Sequence, residues 1–199
     1  MKDLTAQKNM DILIEGLGQK TPRLLLHSCC GPCSSYVLEY LSQYFSVTLF
    51  FYNPNIHPKE EYQKRLLTQK KLLSRAVYKN PVDFLEGEYD PDRFFEAAKG
   101  LEHCREGGER CTKCFELRLS KTAEQAKLGG FDFFATTLTV SPHKNALLIN
   151  NIGKCFEGYL ASDFKKKEGY KRSIILSKQY DLYRQSYCGC IFSKRESAE

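Results

Sequence analysis

Short apolar runs that alternate with segments of helical periodicity constrain this chain most. The first run, at 23–28, leads into "HSCCGPC"; "SVTLFFY" follows at 46–52 and "FDFFATTLTV" at 131–140, with a shorter strand expected at 82–85. Runs that are apolar along their length predict strands buried on both faces, as in a parallel sheet. Between them, "SSYVLEYLSQY" brings Val37, Leu38, Leu41 and Tyr44 to one helical face, and Pro58 suits the first turn of a long helix. A short helix stops at Gly100, and a helix from Cys111 to Gly129 gathers Phe115, Leu119, Ala123 and Ala126 on one face. "SPHKNALLINNIGKCF" predicts a last helix introduced by its Ser-Pro pair. This order implies an α/β fold: a mostly parallel sheet with helices on both faces. The expectation is one domain over 1–199, with a core at 22–158 and an irregular, basic, aromatic tail at 159–199.

Nine cysteines in 199 residues narrow the chemistry. They cluster as CC-x-x-C, C-x-x-C and C-x-C, spacings too short to staple a fold, and their number is odd. The N-terminus carries no apolar secretory run, and no segment approaches the ~20 apolar residues that span a bilayer. A cytoplasmic protein without a membrane partner is therefore expected, and a reducing compartment favours metal ligation or redox chemistry over disulfides. The formal charge of +6 is only a moderate basic excess.

Ligands of open α/β sheets bind beyond the carboxyl ends of the strands. "HSCCGPC", "YNPNIHP" and "TTLTVSPHK" each begin where a strand is expected to end, so all three converge on one edge. Cys29 and Cys30 with Cys111 and Cys114 make a two-plus-two thiolate set that suits zinc or a 4Fe-4S cluster, and spacing does not separate the two. Cys188-Gly-Cys190 suits a strained disulfide or a metal-binding pair, with Gly189 supplying backbone freedom. Cys33 is a further ligand or a core thiol, Cys155 a buried core thiol, and Cys104 a minor loop candidate. His57, Glu61 and Arg65 follow at i, i+4 spacing, next to Tyr52, Asn53 and Asn55. This is a face for reading hydroxyls or phosphates, or else a salt-bridge ladder beside turn residues. Lys165, Lys166, Lys167 and Arg184 interleave with Phe164, Tyr170, Tyr183 and Tyr187, the composition of an RNA-loop surface or of a solvated lysine turn. Asp163 is a charge partner of the lysine run, or else a hard oxygen ligand near the thiolates, suited to iron.

Six motifs, "HSCCGPC", "FFYNPNIHPKEEYQKR", "EGGERCTKCFELRL", "FATTLTVSPHK", "DFKKKEGY" and "LYRQSYCGC", together resemble the QueH family of epoxyqueuosine reductases, in the same order and over nearly the whole chain. The resemblance implies an adenine-nucleotide α-hydrolase-like, Rossmann-type fold. It also implies cobalamin-independent reduction of epoxyqueuosine to queuosine at the tRNA wobble position. By the same resemblance Cys29, Cys30, Cys111 and Cys114 would hold a 4Fe-4S cluster. Cys188 and Cys190 would form a redox-active pair or ligate a second metal ion, iron, with Asp163 and Cys33. The tRNA anticodon loop would dock on the tail, electrons would come from a separate donor, and His57, Glu61 or Tyr52 would supply protons. Cys104 departs from the family pattern. A metal-free dithiol oxidoreductase and a zinc-stapled RNA-binding module are the rival readings.

Overall fold

The structure is a computed structural model that describes residues 5–196. Four parallel strands lie in the order β3, β2, β1, β4, where β1 is Arg23–Ser28, β2 Ser46–Phe51, β3 Val82–Glu86 and β4 Phe133–Thr136. Successive side chains of a strand point to opposite faces. Leu24 and Leu26 of β1 therefore meet Val37, Leu38 and Leu41 of α2 (Gly31–Leu41) and Leu72 of α3 (Lys59–Arg75), while Met10 of α1 (Ala6–Gly16) closes the same layer. Leu25 faces the other way, into Phe115 and Leu119 of α5 (Glu109–Leu128) and Ile149 of α6 (Ala146–Gly153). Helices thus cover both faces, as the apolar runs predict. No helix among the described residues is long and apolar enough to cross a membrane.

The structure corrects several boundaries. β4 ends at Thr136, whose hydroxyl accepts from Leu138 N at 3.2 Å and turns the chain into a 3-10 helix over Thr137–Val140. α6 starts four residues after Pro142, capped by Asn145 through Leu148 N at 3.1 Å, so the Ser-Pro pair lies outside it. α4 (Pro91–Ala98) packs its buried Phe94 near α5. The tail is not irregular: it holds α7 (Gly169–Gln179) and α8 (Ile191–Glu196), with 197–199 outside the described residues. The buried face of α7 is Gly169, Ser173, Leu176 and Ser177, where a single leucine among small or polar residues does not read as a core stripe. Cys155 is exposed rather than buried, because Ile149, Ile152 and Phe156 occupy the apolar side of that segment.

Two of the tail's cations are used inside the protein. Lys167 pairs with Asp11 at 2.8 Å and Arg172 forks onto Glu39 at 2.9 and 2.6 Å. Burial alone would raise the Asp11 carboxyl, but hydrogen bonds from Lys167, Gln7 and Tyr40 outweigh it and hold the group below its ordinary value. A depressed carboxylate stabilises the fold above its unfolded value and loses that contribution as pH falls through the folded one. Asp11→Asn is therefore expected to lower the melting temperature at pH 7 and to differ little from the parent in the acid range, measured by thermal melts across pH.

Candidate active site

Between β1 and α2 the chain turns through Cys29 and Cys30, the latter extended at φ −170° and ψ 156° as the residue before the helix. Gly31 follows, where a Cβ would stand 2.9 Å from Thr68 Cγ2 and 3.2 Å from Thr68 O, so α3 packs on bare backbone. Cys33 lies in the first turn of α2. The three sulfurs of Cys29, Cys30 and Cys33 lie within 4.8 Å of one another, with Cys29 Sγ 3.8 Å from Cys30 Sγ. Thr137, at the end of the neighbouring strand, accepts from Cys29 N at 3.4 Å and donates to Cys29 Sγ at 3.7 Å. Beneath the turn, Ser28, Ser34 and Gln69 share hydrogen bonds of 2.7 to 2.9 Å, and Asn53 Nδ2 donates to Ser28 O at 2.8 Å. Such a group of thiols could hold a metal ion.

A second thiol group lies alongside. Cys111 and Cys114, in the first two turns of α5, line a cavity together with Cys188 and Cys190. Next to it a cleft of about 460 Å³ is lined by Cys29, Cys33 and Cys188. Arg118, Lys144 and Cys188 belong to the walls of both spaces. The fold therefore gathers Cys29 and Cys30 with Cys33, and Cys111 and Cys114 with Cys188 and Cys190, on the two sides of one wall.

Electrostatics make the first group share one negative charge. Hydrogen bonds from the Cys30 and Cys33 thiols, with the positive field of Lys144 and Arg118, hold the Cys29 thiol well below its ordinary value. The same sharing, with burial, pushes Cys30 up to about 11 and Cys33 well above the usual thiol range. Burial raises Cys111, and it pushes Cys114 up to about 12. Arg118 is 1% exposed, donates through Nε to Cys114 O at 3.2 Å, and leaves Nη2 without a protein partner. Cations so placed offset thiolate charge that would be costly to bury. His27 is neutral by contrast, its value pushed down to about 3 by burial. Its Nε2 donates to Tyr52 O at 3.1 Å and its Nδ1 accepts from the Thr136 hydroxyl at 2.8 Å, tying the ends of three strands together.

The other expected residues are differently placed. Tyr52, Asn53 and Asn55 are buried, and none of them lines the cleft. His57 precedes α3 instead of sharing its face, and its ring lies tilted against Phe95, with centroids 4.8 Å apart. Glu61 and Arg65 do pair, at 2.7 Å, but the guanidinium is buried beneath residues 187 and 188. Asp163 pairs with Lys165 at 3.2 Å and is not among the gathered thiols; Lys165 also donates to Thr139 O at 3.3 Å. Lys166 is exposed, Lys167 is held by Asp11, and Arg184 stands at the cleft mouth beside Tyr170. Arg110 donates to Cys104 O, which fixes that loop. Sequence reasoning missed Arg118, Lys144 and Thr137. Arg118 had a signal: it is a cation one turn beyond Cys114, next to the apolar positions Phe115 and Leu119.

This site stands on a chain whose residues 24–196 match the family model described as "Epoxyqueuosine reductase QueH". The chain belongs to the epoxyqueuosine reductase QueH family. A QueH epoxyqueuosine reductase of Streptococcus pyogenes is 48% identical to it over 181 residues, covering 87% of this chain and 71% of that one. The QueH protein of Staphylococcus epidermidis is 47% identical, over 86% of this chain and 76% of its own. That of Thermotoga maritima is 35% identical, over 88% and 92%. The matched span takes in the four strands, but for Arg23 at the start of β1, and all nine cysteines, from Cys29 to Cys190.

Proposed function

We propose that the chain reduces epoxyqueuosine to queuosine at the wobble position of cytoplasmic tRNA, the last step of queuosine synthesis. The observation that carries this reading is a cleft walled by thiols from two sides, at the carboxyl ends of β1 and β4, in a chain of this family. Its volume of about 460 Å³ suits one extruded modified base. Two electrons and two protons convert the epoxide to an alkene and water.

The donor set fits a sulfur-ligated iron centre. Its ligands are soft, they lie beside Arg118 and Lys144, and Arg118 keeps a buried Nη2 without a protein partner. In this reading Cys29, Cys30, Cys111 and Cys114 hold a 4Fe-4S cluster. When bound, it supplies electrons to the substrate one at a time from an external donor. Cys33, Cys188 and Cys190 remain as donors for a second iron ion, which Asp163 joins only by giving up Lys165; Cys188 and Cys190 alternatively act as a dithiol pair.

His57, Glu61 and Tyr52 do not line the cleft, so proton delivery passes to His143 and Tyr187, which do, beside the Lys144 cation. Lys144 keeps its proton through the pull of the neighbouring thiolates, which outweighs its burial. Arg184, Tyr170 and Tyr187 at the mouth offer a cation and two stacking surfaces to the anticodon loop.

Anaerobically purified, reduced protein incubated with tRNA bearing epoxyqueuosine is expected to yield queuosine on nucleoside digestion and mass analysis. Unchanged nucleoside, together with stoichiometric zinc and no iron, would leave the RNA-binding module in its place. Turnover that survives iron removal would favour the dithiol enzyme.

A further inference from the structure

Every backbone carbonyl from residue 187 to 189 is taken by a donor on or just before α3. Arg65 Nη2 donates to Tyr187 O at 3.2 Å, Arg65 Nη1 to Cys188 O at 2.9 Å, and His57 N to Gly189 O at 2.8 Å. The third guanidinium position is closed by Glu61, which accepts from Arg65 Nε at 2.7 Å and from the Tyr183 hydroxyl at 3.1 Å. Tyr187 returns the contact by donating its hydroxyl to His57 O at 2.8 Å. Arg65 is 2% exposed and lies next to Gly189, whose φ of 105° and missing Cβ are both required: a Cβ there would stand 2.9 Å from Arg65 Nη1 and 3.0 Å from Ile56 Cγ1. The thiols of Cys188 and Cys190 border the cavity they share with Cys111 and Cys114.

We infer that Arg65 is a positioning residue that clamps the Cys188-Gly189-Cys190 backbone, and so sets where these two thiols stand relative to Cys111 and Cys114, rather than a group that binds tRNA. Its planar fork reaches two successive carbonyls and a carboxylate at once, which an ammonium on a flexible stem does not. The choice of arginine at this position of α3 follows from that geometry. This inference rests on the proposed reductase only for its kinetic readout.

The test uses the full chain, purified anaerobically, with Arg65→Lys and Gly189→Ala as two perturbations of the same contact from opposite sides. Misplacing reacting groups by about 1 Å costs up to a hundredfold in rate, so kcat is expected to fall about tenfold or more in both variants with KM for tRNA held within about twofold. Native alkylation of Cys188, followed by peptide mass analysis, is expected to change by about tenfold while that of the remote, exposed Cys155 stays the same. The alkylation readout stands even if the parent does not reduce epoxyqueuosine. If Arg65→Lys restores parental kcat and alkylation, charge alone suffices and the clamp is wrong. A rise in KM at unchanged kcat would instead make Arg65 a tRNA-binding group. Should Arg65→Lys fail to fold, Gly189→Ala decides alone, and parental behaviour of that variant overturns the inference.

Discussion

Cys188→Ser is expected to lower turnover of epoxyqueuosine tRNA by about a thousandfold or more, because it removes the one thiol that faces both sulfur-lined spaces. The oxygen of serine is far less readily oxidised and far less readily deprotonated, so it substitutes for neither a dithiol partner nor a soft ligand. The fold should tolerate the change. Residues 187 to 189 are held through their backbone carbonyls, and those bonds do not depend on the side chain. Melting temperature and tRNA affinity should therefore stay close to the parent's while single-turnover rate collapses, and most of the iron should remain. Parental turnover in this variant would remove Cys188 from the reaction.

Cys114→Ser should show the opposite pattern, with iron content falling about tenfold or more on anaerobic purification. Cys114 is buried in the second turn of α5, its thiol pushed up to about 12 by burial, so without a metal it is a neutral, inert group. A soft metal ion makes thiolate the stable form at such a position. Iron and sulfide assays with the visible absorbance measure the loss. Undiminished iron would exclude Cys114 as a ligand and return the centre to Cys29, Cys30 and Cys33, the three sulfurs already gathered.

How much of this was legible in the sequence depends on the physical signal each part carries. Strands β1 and β2 and the site-forming end of the sheet were legible because residues 24–26 and 49–51 are apolar whichever face they meet. The thiol positions were legible because clustered cysteine has few other uses. α7 was not, because its buried face of Gly169, Ser173 and Ser177 packs through smallness rather than hydrophobicity. The polar segment after β2 stayed ambiguous for a related reason: Asn53 satisfies Ser28 O inside the protein, and composition alone does not separate such a role from a surface for ligands. Glu61 and Arg65 have the spacing expected of a pair, yet nothing local reveals that the guanidinium reaches 122 and 123 residues along the chain to hold the C-x-C segment. Lys165 and Lys167 likewise read as an RNA surface until their partners Asp163 and Asp11 are placed beside them. Spacing reports local neighbours, and the groups that decide this site are distant ones.

The central claim is that the thiol-walled cleft removes the epoxide oxygen as water. Epoxyqueuosine tRNA carrying a heavy-oxygen label in its epoxide, turned over once by the reduced protein, measures this directly. The account predicts unlabelled alkene nucleoside, with the label recovered in water. Label retained in the nucleoside as a diol or an alcohol would contradict it.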